Sequence, residues 1–212
     1  MTLNYTYERA ALGGGHKMIC GVDEAGRGPL AGPVVAAACI LPLDCEIEGL
    51  NDSKKLSEKK RDELFDVIRE RAVAYAVGMA DNLEIDRLNI LNATMLAMSR
   101  AILNLQPAAD FALVDGNCIR HFPIPGITIV KGDAKSPSIA AASILAKVTR
   151  DRICMEMDAA YPEYNFKKHK GYPTKEHRDL LRLYGPCPLH RRSFLKFLQE
   201  DEPLGRQDED HR

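Results

Sequence analysis

Four acidic residues stand at or just after the ends of short apolar runs, where carboxylates from separate strands can meet. Asp23 and Glu24 follow one run, Asp115 ends a second, and Asp133 comes shortly after a third. If these ends are neighbours, the four like charges raise one another's pKa unless divalent cations neutralise them. Because clustered carboxylate oxygens favour Mg²⁺ or Mn²⁺ over zinc, the pattern predicts a site for one of these ions.

A structural role is the alternative for each of these acids. An aspartate at the end of a strand is most often a turn or helix-cap residue, and this is the favoured interpretation for any one of the four alone. Neighbouring residues of a strand also point to opposite faces, so Asp23 and Glu24 share a site only if the chain twists or ends there. The occurrence of all four together favours the metal site.

Two glycines, Gly26 and Gly28, flank Arg27 directly after the first acidic pair. Glycines let backbone N–H and C=O groups approach a ligand with no Cβ in the way, and a ribose hydroxyl is one group that such a backbone can read. A simple turn is the alternative. The triplet lacks the pattern of a phosphate-binding P-loop, and no such pattern occurs elsewhere in the sequence.

The segment from Tyr161 to His177 is the most basic stretch of the chain and interleaves its cations with aromatic residues. This mixture is expected where phosphates and sugar or base faces are bound together. A solvated loop with its aromatic side chains turned inward has equal weight on composition alone. The basic and aromatic members are Lys167, Lys168, His169, Lys170, Lys175, Tyr164, Phe166 and Tyr172.

Composition excludes several classes of protein. The 29 Lys and Arg against 30 Asp and Glu give a net charge of -1, so any surface for nucleic acid must be a local patch. The histidines lack the His-Glu-x-x-His spacing of zinc proteases, and no Gly-x-Ser-x-Gly is present. Six cysteines without a Cys-x-x-Cys pair indicate reduced thiols. With no membrane-spanning run or signal pattern, we expect a soluble, cytoplasmic protein without membrane contact.

Apolar patterning predicts the elements that must position these residues. Helices are expected over 58–70, along an apolar stripe from Leu88 to Leu105, from a Ser136 N-cap with Pro137 through Met157, and over 174–184. These elements predict an α/β fold with a mixed sheet of about five strands, the first three antiparallel, covered by helices. The predicted strands are Met18–Asp23, Val34–Leu41, 73–80, Phe111–Asp115 and Ile127–Lys131.

A run of fourteen residues closely resembles the opening motif of the bacterial ribonuclease HII family. This run, at 21–34, reads GVDEAGRGPLAGPV. The resemblance covers essentially residues 18–200 and rests on further motifs that occur in the same order as in the family. They are DSKKL at 52–56, VDGN at 114–117, KGD at 131–133, AAASILAKVTRD at 140–151 and HKGYPT at 169–174.

The resemblance implies a ribonuclease-H-like fold, a five-stranded mixed sheet flanked by helices with a C-terminal helical appendage. It implies three segments: an N-terminal extension over 1–17, a catalytic domain over 18–200, and a charged, disordered tail over 201–212. It also implies that the four acids are catalytic ligands of two divalent ions. The backbone of Gly26, Arg27 and Gly28 would recognise the 2′-hydroxyl of a ribonucleotide, and Tyr172 would pack on its sugar. Lys54 and Lys147 are further candidates for phosphate contacts, with a plain surface cation as the alternative for each.

The activity implied by the resemblance is hydrolysis of the phosphodiester 5′ of a ribonucleotide, in RNA–DNA hybrids or in duplex DNA that carries a single ribonucleotide. The products are a 3′-hydroxyl and a 5′-phosphate. Two rivals remain: a ribonuclease HIII, for whose extra N-terminal domain seventeen leading residues are too few, and a non-catalytic module that binds RNA–DNA junctions. We expect a monomer. No motif for a replication clamp is evident, and recruitment by a clamp stays open.

Overall fold

One mixed sheet of five strands forms the centre of the protein. The structure, a computed structural model, describes residues 3–200, with the backbone alone for residues 199 and 200. The strand order is β3-β2-β1-β4-β5. β1 pairs antiparallel with β2, and β2 with β3, whereas β4 runs parallel to both β1 and β5. The strands are β1 (Ile19–Ala25), β2 (Val34–Ile40), β3 (Ala74–Ala80), β4 (Phe111–Asp115) and β5 (Gly126–Ile129).

Helices cover both faces of this sheet. α5 and α2 lie on one face, and α4 lies on the other. Alternate residues of β2 show the division, because Ala36 and Ala38 pack toward α4 whereas Ala37 and Cys39 pack toward α2 and α5. The helices are α1 (Thr6–Gly13), α2 (Glu58–Arg71), α3 (Asn82–Leu88), α4 (Ile90–Leu103), α5 (Pro137–Ala160), α6 (Phe166–His169), α7 (Lys175–Tyr184) and α8 (Phe197–Glu200).

The mixed sheet and its three antiparallel leading strands confirm the predicted fold class, but several element boundaries differ from prediction, and two of these differences have a clear backbone cause. The fifth strand ends at Ile129 instead of Lys131, because Lys131 has a left-handed backbone with φ of 56° and starts a short turn. The apolar stripe from Leu88 to Leu105 is broken at Asn89, which has φ of 67° and separates α3 from α4. Asparagine tolerates this conformation, and its side chain caps α4 by accepting a hydrogen bond from the Asn92 amide.

The long helix α5 begins as the sequence predicts. Ser136 is its N-cap, since the side-chain oxygen accepts a hydrogen bond from the amide of Ile139, and Pro137 occupies the first turn. α1 secures the same end, because the buried carboxylate of Glu8 accepts a hydrogen bond of 2.6 Å from the Ser136 hydroxyl. The segment before residue 18 therefore includes a helix that packs on the sheet domain.

The region that follows α5 forms a smaller apolar cluster of its own. Tyr164, Phe166 and Leu181 pack there against Leu30 and Ala31, which lie in the connection between β1 and β2. An isolated bridge also pairs Ala31 with His190. The C-terminal helices are thereby attached to the loop that follows the first acidic pair. Residues 201–212, where the sequence predicts a charged tail, lie outside the described part of the chain, and no helix within 3–200 is long and apolar enough to cross a membrane.

β1 and α5 meet so closely at Gly21 that no side chain fits between them. A Cβ at this position would lie 2.1 Å from the carbonyl carbon of Ser138 and 2.2 Å from the amide nitrogen of Ile139. Gly21→Ala is therefore expected to lower the free energy of unfolding by about 3 kcal/mol, as overpacking against backbone does. Urea unfolding followed by circular dichroism measures the change.

Gly13→Ala is the matched control, because a Cβ there meets nothing within 4 Å. This variant is expected to be neutral or to gain up to about 1 kcal/mol from helix propensity. Equal unfolding midpoints for Gly21→Ala and the unsubstituted protein would contradict the packing described here.

Candidate active site

Parallel pairing brings the ends of β1, β4 and β5 to one edge of the sheet. The register pairs Val22 with Val114, so Asp23 and Asp115 are the next residues along the two neighbouring strands. Asp133 lies on the short turn that follows β5. Asp115 holds this turn in place, since its Oδ1 accepts a hydrogen bond of 2.6 Å from the amide of Gly132. The three strand ends predicted to carry acids are thus neighbours.

Asp23, like Asp133, is buried, with 5% of its surface exposed. Its Oδ1 accepts a hydrogen bond of 2.7 Å from the Glu24 amide. Burial raises the pKa of Asp23 well above its ordinary value, and the charges of Glu24 and Asp115 add to the shift, whereas a hydrogen bond with Ser143 of α5 opposes it. The ionised form is therefore destabilised in the folded protein.

Glu24 belongs to the same electrostatic group although it is next to Asp23 in the strand. Burial raises the pKa of Glu24, the charge of Asp115 raises it further, and the ion pair with Arg27 acts against both. That ion pair joins Arg27 Nη1 to Glu24 Oε1 at 3.2 Å. Since β1 ends one residue later, the two consecutive carboxylates can serve one site.

An aspartate that the sequence analysis did not select, Asp52, also lies in this group. Burial raises the pKa of Asp133, and the charges of Asp115 and Asp52 and a hydrogen bond with Asp52 raise it further. Asp52 also caps the turn that carries Lys54, accepting a hydrogen bond of 2.9 Å from the Lys54 amide. In the sequence, Asp52 is the first residue of the DSKKL motif at 52–56, two residues before Lys54.

Lys54 is the cation of this acidic group. Partial burial of the ammonium acts to lower its pKa, but the surrounding carboxylates prevail and raise it. Those carboxylates belong to Asp23, Asp133, Asp52 and Asp115. Lys54 therefore compensates part of the negative charge at the sheet edge. Lys147, the other lysine selected from the sequence, instead forms a 2.6 Å ion pair with Asp151 one turn along α5.

The loop of Gly26, Arg27 and Gly28 rests on two buried arginines, which the sequence analysis did not select. Gly26 has φ of 93°, and a Cβ there would lie 1.9 Å from Nε of Arg150. Arg150 and Arg191 are 1% and 0% exposed. Arg191 donates to the carbonyls of Gly26, Arg27 and Gly32 at 2.6, 2.9 and 2.9 Å. Arg150 lies inside the AAASILAKVTRD motif at 140–151, whereas Arg191 lies in none of the motifs that carry the family resemblance.

Tyr172 faces this loop from the C-terminal region. It is 43% exposed, and a Cβ on Gly28 would lie 3.5 Å from its ring carbon Cε1. The Arg150 guanidinium lies 5.9 Å from the ring centroid, and the Tyr172 carbonyl contacts His177 Nδ1 at 3.0 Å. Gly28 and the exposed Tyr172 ring are therefore direct neighbours on the surface of the protein.

The other residues named in the segment from Tyr161 to His177 have structural roles, the alternative that composition left open. Tyr164 and Phe166 are buried in the C-terminal cluster. Lys167 and Lys168 pair with Asp158 and Glu176 at 3.7 and 2.8 Å. Tyr172 is the member of this segment that the structure exposes next to the loop.

The chemistry of the acidic group fits a divalent cation. No three carboxylate, imidazole or thiol groups among the described residues are already close enough to chelate a single ion. The donors are nonetheless carboxylate oxygens, the ligands that Mg²⁺ and Mn²⁺ prefer. The pKa of Asp23, Glu24 and Asp133 is raised by burial and, after it, by the charges of neighbouring carboxylates. A bound cation would relieve this repulsion.

Comparisons with known proteins agree with this geometry. The model of the family described as Ribonuclease HII matches residues 20–197. A ribonuclease HII of Acetivibrio thermocellus is 58% identical over 190 residues, which cover 90% of this chain and 74% of that protein. The ribonuclease H2 structure from Pyrococcus horikoshii OT3 has a TM-score of 0.71 and 28% identity, covering 87% of this chain and 98% of that one.

A second solved structure is the ribonuclease HII of Archaeoglobus fulgidus in a complex with PCNA. It has a TM-score of 0.69 and 25% identity, and the match covers 86% of this chain and 97% of that one. These likenesses confirm the ribonuclease-H-like fold expected from the sequence.

The raised pKa of Asp23 predicts a dependence of stability on pH. A carboxyl with a higher pKa in the folded state binds more protons folded than unfolded between the two pKa values, so stability falls as pH rises through that window. Asp23→Asn is therefore expected to raise the free energy of unfolding at pH 7 in EDTA by on the order of 1 kcal/mol, about 2–4 °C in Tm. The gain should vanish below the ordinary pKa of 3.8, where both states are protonated.

Asp110→Asn is the control with the opposite sign. Although burial acts to raise it, the pKa of Asp110 is lowered by hydrogen bonds from the amides of Lys17 and Met18. Its replacement should therefore destabilise the protein at pH 7. Thermal unfolding between pH 3 and pH 8 tests both variants, and a loss of Tm at pH 7 in Asp23→Asn would refute the proposed repulsion.

Proposed function

The chain belongs to the ribonuclease HII family, and from this premise we propose that it cleaves the phosphodiester 5′ of ribonucleotides, both in RNA–DNA hybrids and at single ribonucleotides embedded in duplex DNA. Family membership makes it an endonuclease of RNA–DNA hybrids. The finer proposal, including the 3′-hydroxyl and 5′-phosphate products, is supported by the acidic group at the ends of β1, β4 and β5. A role in removing ribonucleotides from DNA follows from this substrate.

The acidic group is the observation that carries the mechanism. Asp23, Glu24, Asp115 and Asp133 would hold the divalent ions, Mg²⁺ or Mn²⁺, as ligands and not as bases. Two bound ions would supply a water activated for attack on phosphorus and stabilisation of charge on the leaving 3′-oxygen. The mutual repulsion that raises the pKa of Asp23 is the same property that favours cation binding.

The loop and Tyr172 would select the ribonucleotide. Backbone groups at Gly26, Arg27 and Gly28 can approach a 2′-hydroxyl because no Cβ at either glycine intervenes, and the Tyr172 ring lies beside Gly28. A deoxynucleotide would leave polar groups without a partner, at a cost of about 1–3 kcal/mol each. The sugar would thus be read by peptide groups next to the metal ligands.

The two lysines would act at the edges of this site. Lys54 is close enough to the acids for their charges to raise its pKa, so we place it between the metal ligands and an incoming phosphate. Lys147 lies one turn after Ser143 on α5 and is paired with Asp151. Its contact with phosphate would require the phosphate to compete with that carboxylate.

The proposal extends to the organisation of the chain. We place the catalytic unit at 18–200, with an N-terminal extension before it and a charged tail after it, and we propose that it acts as a monomer. All six cysteines are free, which fits a reducing compartment such as the cytoplasm. The Archaeoglobus relative was solved with PCNA; recruitment of this chain by a clamp stays open.

Asp133→Asn tests the metal ligands. Cleavage of a labelled DNA duplex with one ribonucleotide is measured with Mg²⁺, Mn²⁺ or EDTA, beside an all-DNA duplex and a long RNA–DNA hybrid. We expect a metal-dependent nick 5′ of the ribonucleotide that is absent from all-DNA. Since loss of an outer-sphere partner costs about 10–100-fold, loss of a direct ligand should reduce the rate by more than about 100-fold.

Asp44→Asn serves as the control, because Asp44 pairs with Arg9 on the surface at 2.6 Å. It should cut at the rate of the unsubstituted protein. Binding of the unsubstituted protein to the duplex without any cut would favour the junction-binding module. Full activity of Asp133→Asn would exclude this residue from the site.

Gly28→Ala tests the reading of the sugar. The added Cβ would make ordinary contact with the Tyr172 ring, so the fold should be unchanged while the methyl group covers the exposed backbone of Gly28. We expect unchanged Tm and a KM for the ribonucleotide duplex raised about tenfold, the size of one lost hydrogen bond. A KM equal to that of the unsubstituted protein would show that the sugar does not bind against the backbone of Gly28.

A further inference from the structure

Arg191 is a fully buried cation whose guanidinium lies 5.3 Å from the centroid of the Phe194 ring and donates hydrogen bonds to backbone carbonyls only, among the described residues. It is 0% exposed, and no carboxylate of the described residues lies within ion-pair distance of it. Its three hydrogen bonds end on the carbonyl oxygens of Gly26, Arg27 and Gly32. Burying a charge without a counter-ion is costly, and burial lowers the pKa of Arg191 to about 9, with the charge of Arg150 adding to the shift. Such a group calls for a specific role.

The two loop carbonyls fix the orientation of two peptide groups. In a trans peptide, the C=O and the following N–H point in opposite directions. Because the carbonyls of Gly26 and Arg27 point inward at Arg191, the amides of Arg27 and Gly28 point away from it. Both of these residues are exposed.

These two amides are unused donors. Neither the amide of Arg27 nor that of Gly28 donates a hydrogen bond within the described part of the chain. Two adjacent N–H groups are thus aimed outward from a loop whose carbonyl side is clamped, beside the exposed ring of Tyr172. An arrangement of this kind suits a hydroxyl or an anionic oxygen as the ligand.

We propose that Arg191 is a positioning residue for sugar selection: by clamping the carbonyls of Gly26 and Arg27, it aims the amides of Arg27 and Gly28 at the 2′-hydroxyl. This inference rests on the proposed function. Arginine suits the role because its planar guanidinium presents several donors in one fixed geometry, whereas a lysine ammonium is a single point. Arg191 thereby connects the C-terminal region to substrate preference.

Arg150 supports the neighbouring backbone and not these two carbonyls. It donates to the carbonyls of Pro33 and Lys170 at 3.3 and 3.0 Å. The division of contacts means that the orientation of the peptide groups at 26–28 depends directly on Arg191.

Arg191→Lys and Arg191→Met test the proposal. Fluorescence anisotropy in EDTA gives the affinities for a DNA duplex with one ribonucleotide and for the all-DNA duplex of the same sequence. We expect the ratio of the two affinities to fall about tenfold in both variants, while the affinity for all-DNA stays within about twofold. Hydrogen exchange of peptides covering 26–30, in which the Leu30 amide is hydrogen-bonded to the Gly171 carbonyl at 2.8 Å, should be faster in both variants.

Leu181→Ala is the control for general destabilisation, since Leu181 lies in the same C-terminal cluster and makes no hydrogen bond to the loop. At a matched loss of Tm it should keep both the affinity ratio and the exchange rate at 26–30. An unchanged affinity ratio in folded Arg191 variants, or an equal fall in Leu181→Ala, would overturn the inference. If the unsubstituted protein shows no preference for the ribonucleotide, the proposed function fails, and unchanged exchange in the variants then also refutes the clamp.

Discussion

Repulsion between buried carboxylates is the constraint around which this structure is arranged. Asp23, Glu24 and Asp133 all have a raised pKa because burial and neighbouring acids oppose their ionisation. Several groups offset part of the electrostatic cost of burying these carboxylates. They are the Lys54 ammonium, the Arg27 guanidinium, nearby backbone amides and the Ser143 hydroxyl. None of these neutralises the group fully. What remains is a local excess of negative charge in a chain whose net charge is only -1, and this excess is the driving force for cation binding.

Helix α5 connects the core of the protein to the candidate site. Its first turn lies against β1 at Gly21, with no room for a Cβ. The helix then places Ser143 at Asp23 and, two turns later, Arg150 behind Gly26. A single rigid helix thus sets the depth of the acidic pair and the position of the loop that follows it. The acidic pair and the loop are therefore mechanically linked through one element.

Much of the fold could be predicted because its strands and helices follow from local patterns in the sequence. Short apolar runs, and period-two alternation over 73–80, located the strands to within two residues at each end. The Ser136–Pro137 pair marked the start of α5. The boundary errors have local causes as well: Asn89 and Lys131 adopt left-handed backbone conformations that end an element inside an otherwise continuous apolar pattern. Hydrophobic periodicity reports which face is buried, and it does not report where the backbone turns.

The sequence by itself determined the acids, the glycines of the loop and Tyr172, because their types and their order along the chain are enough to identify the family. Only the tertiary structure decided that Asp52 and Lys54 join the acidic group and that Arg191 clamps the loop. Arg191 lies more than 160 positions from Gly26, and its partners are backbone carbonyls, which every residue possesses. A hydrogen bond to a backbone carbonyl does not depend on the type of the residue that carries the carbonyl. No sequence pattern therefore predicts the pairing of Arg191 with this loop.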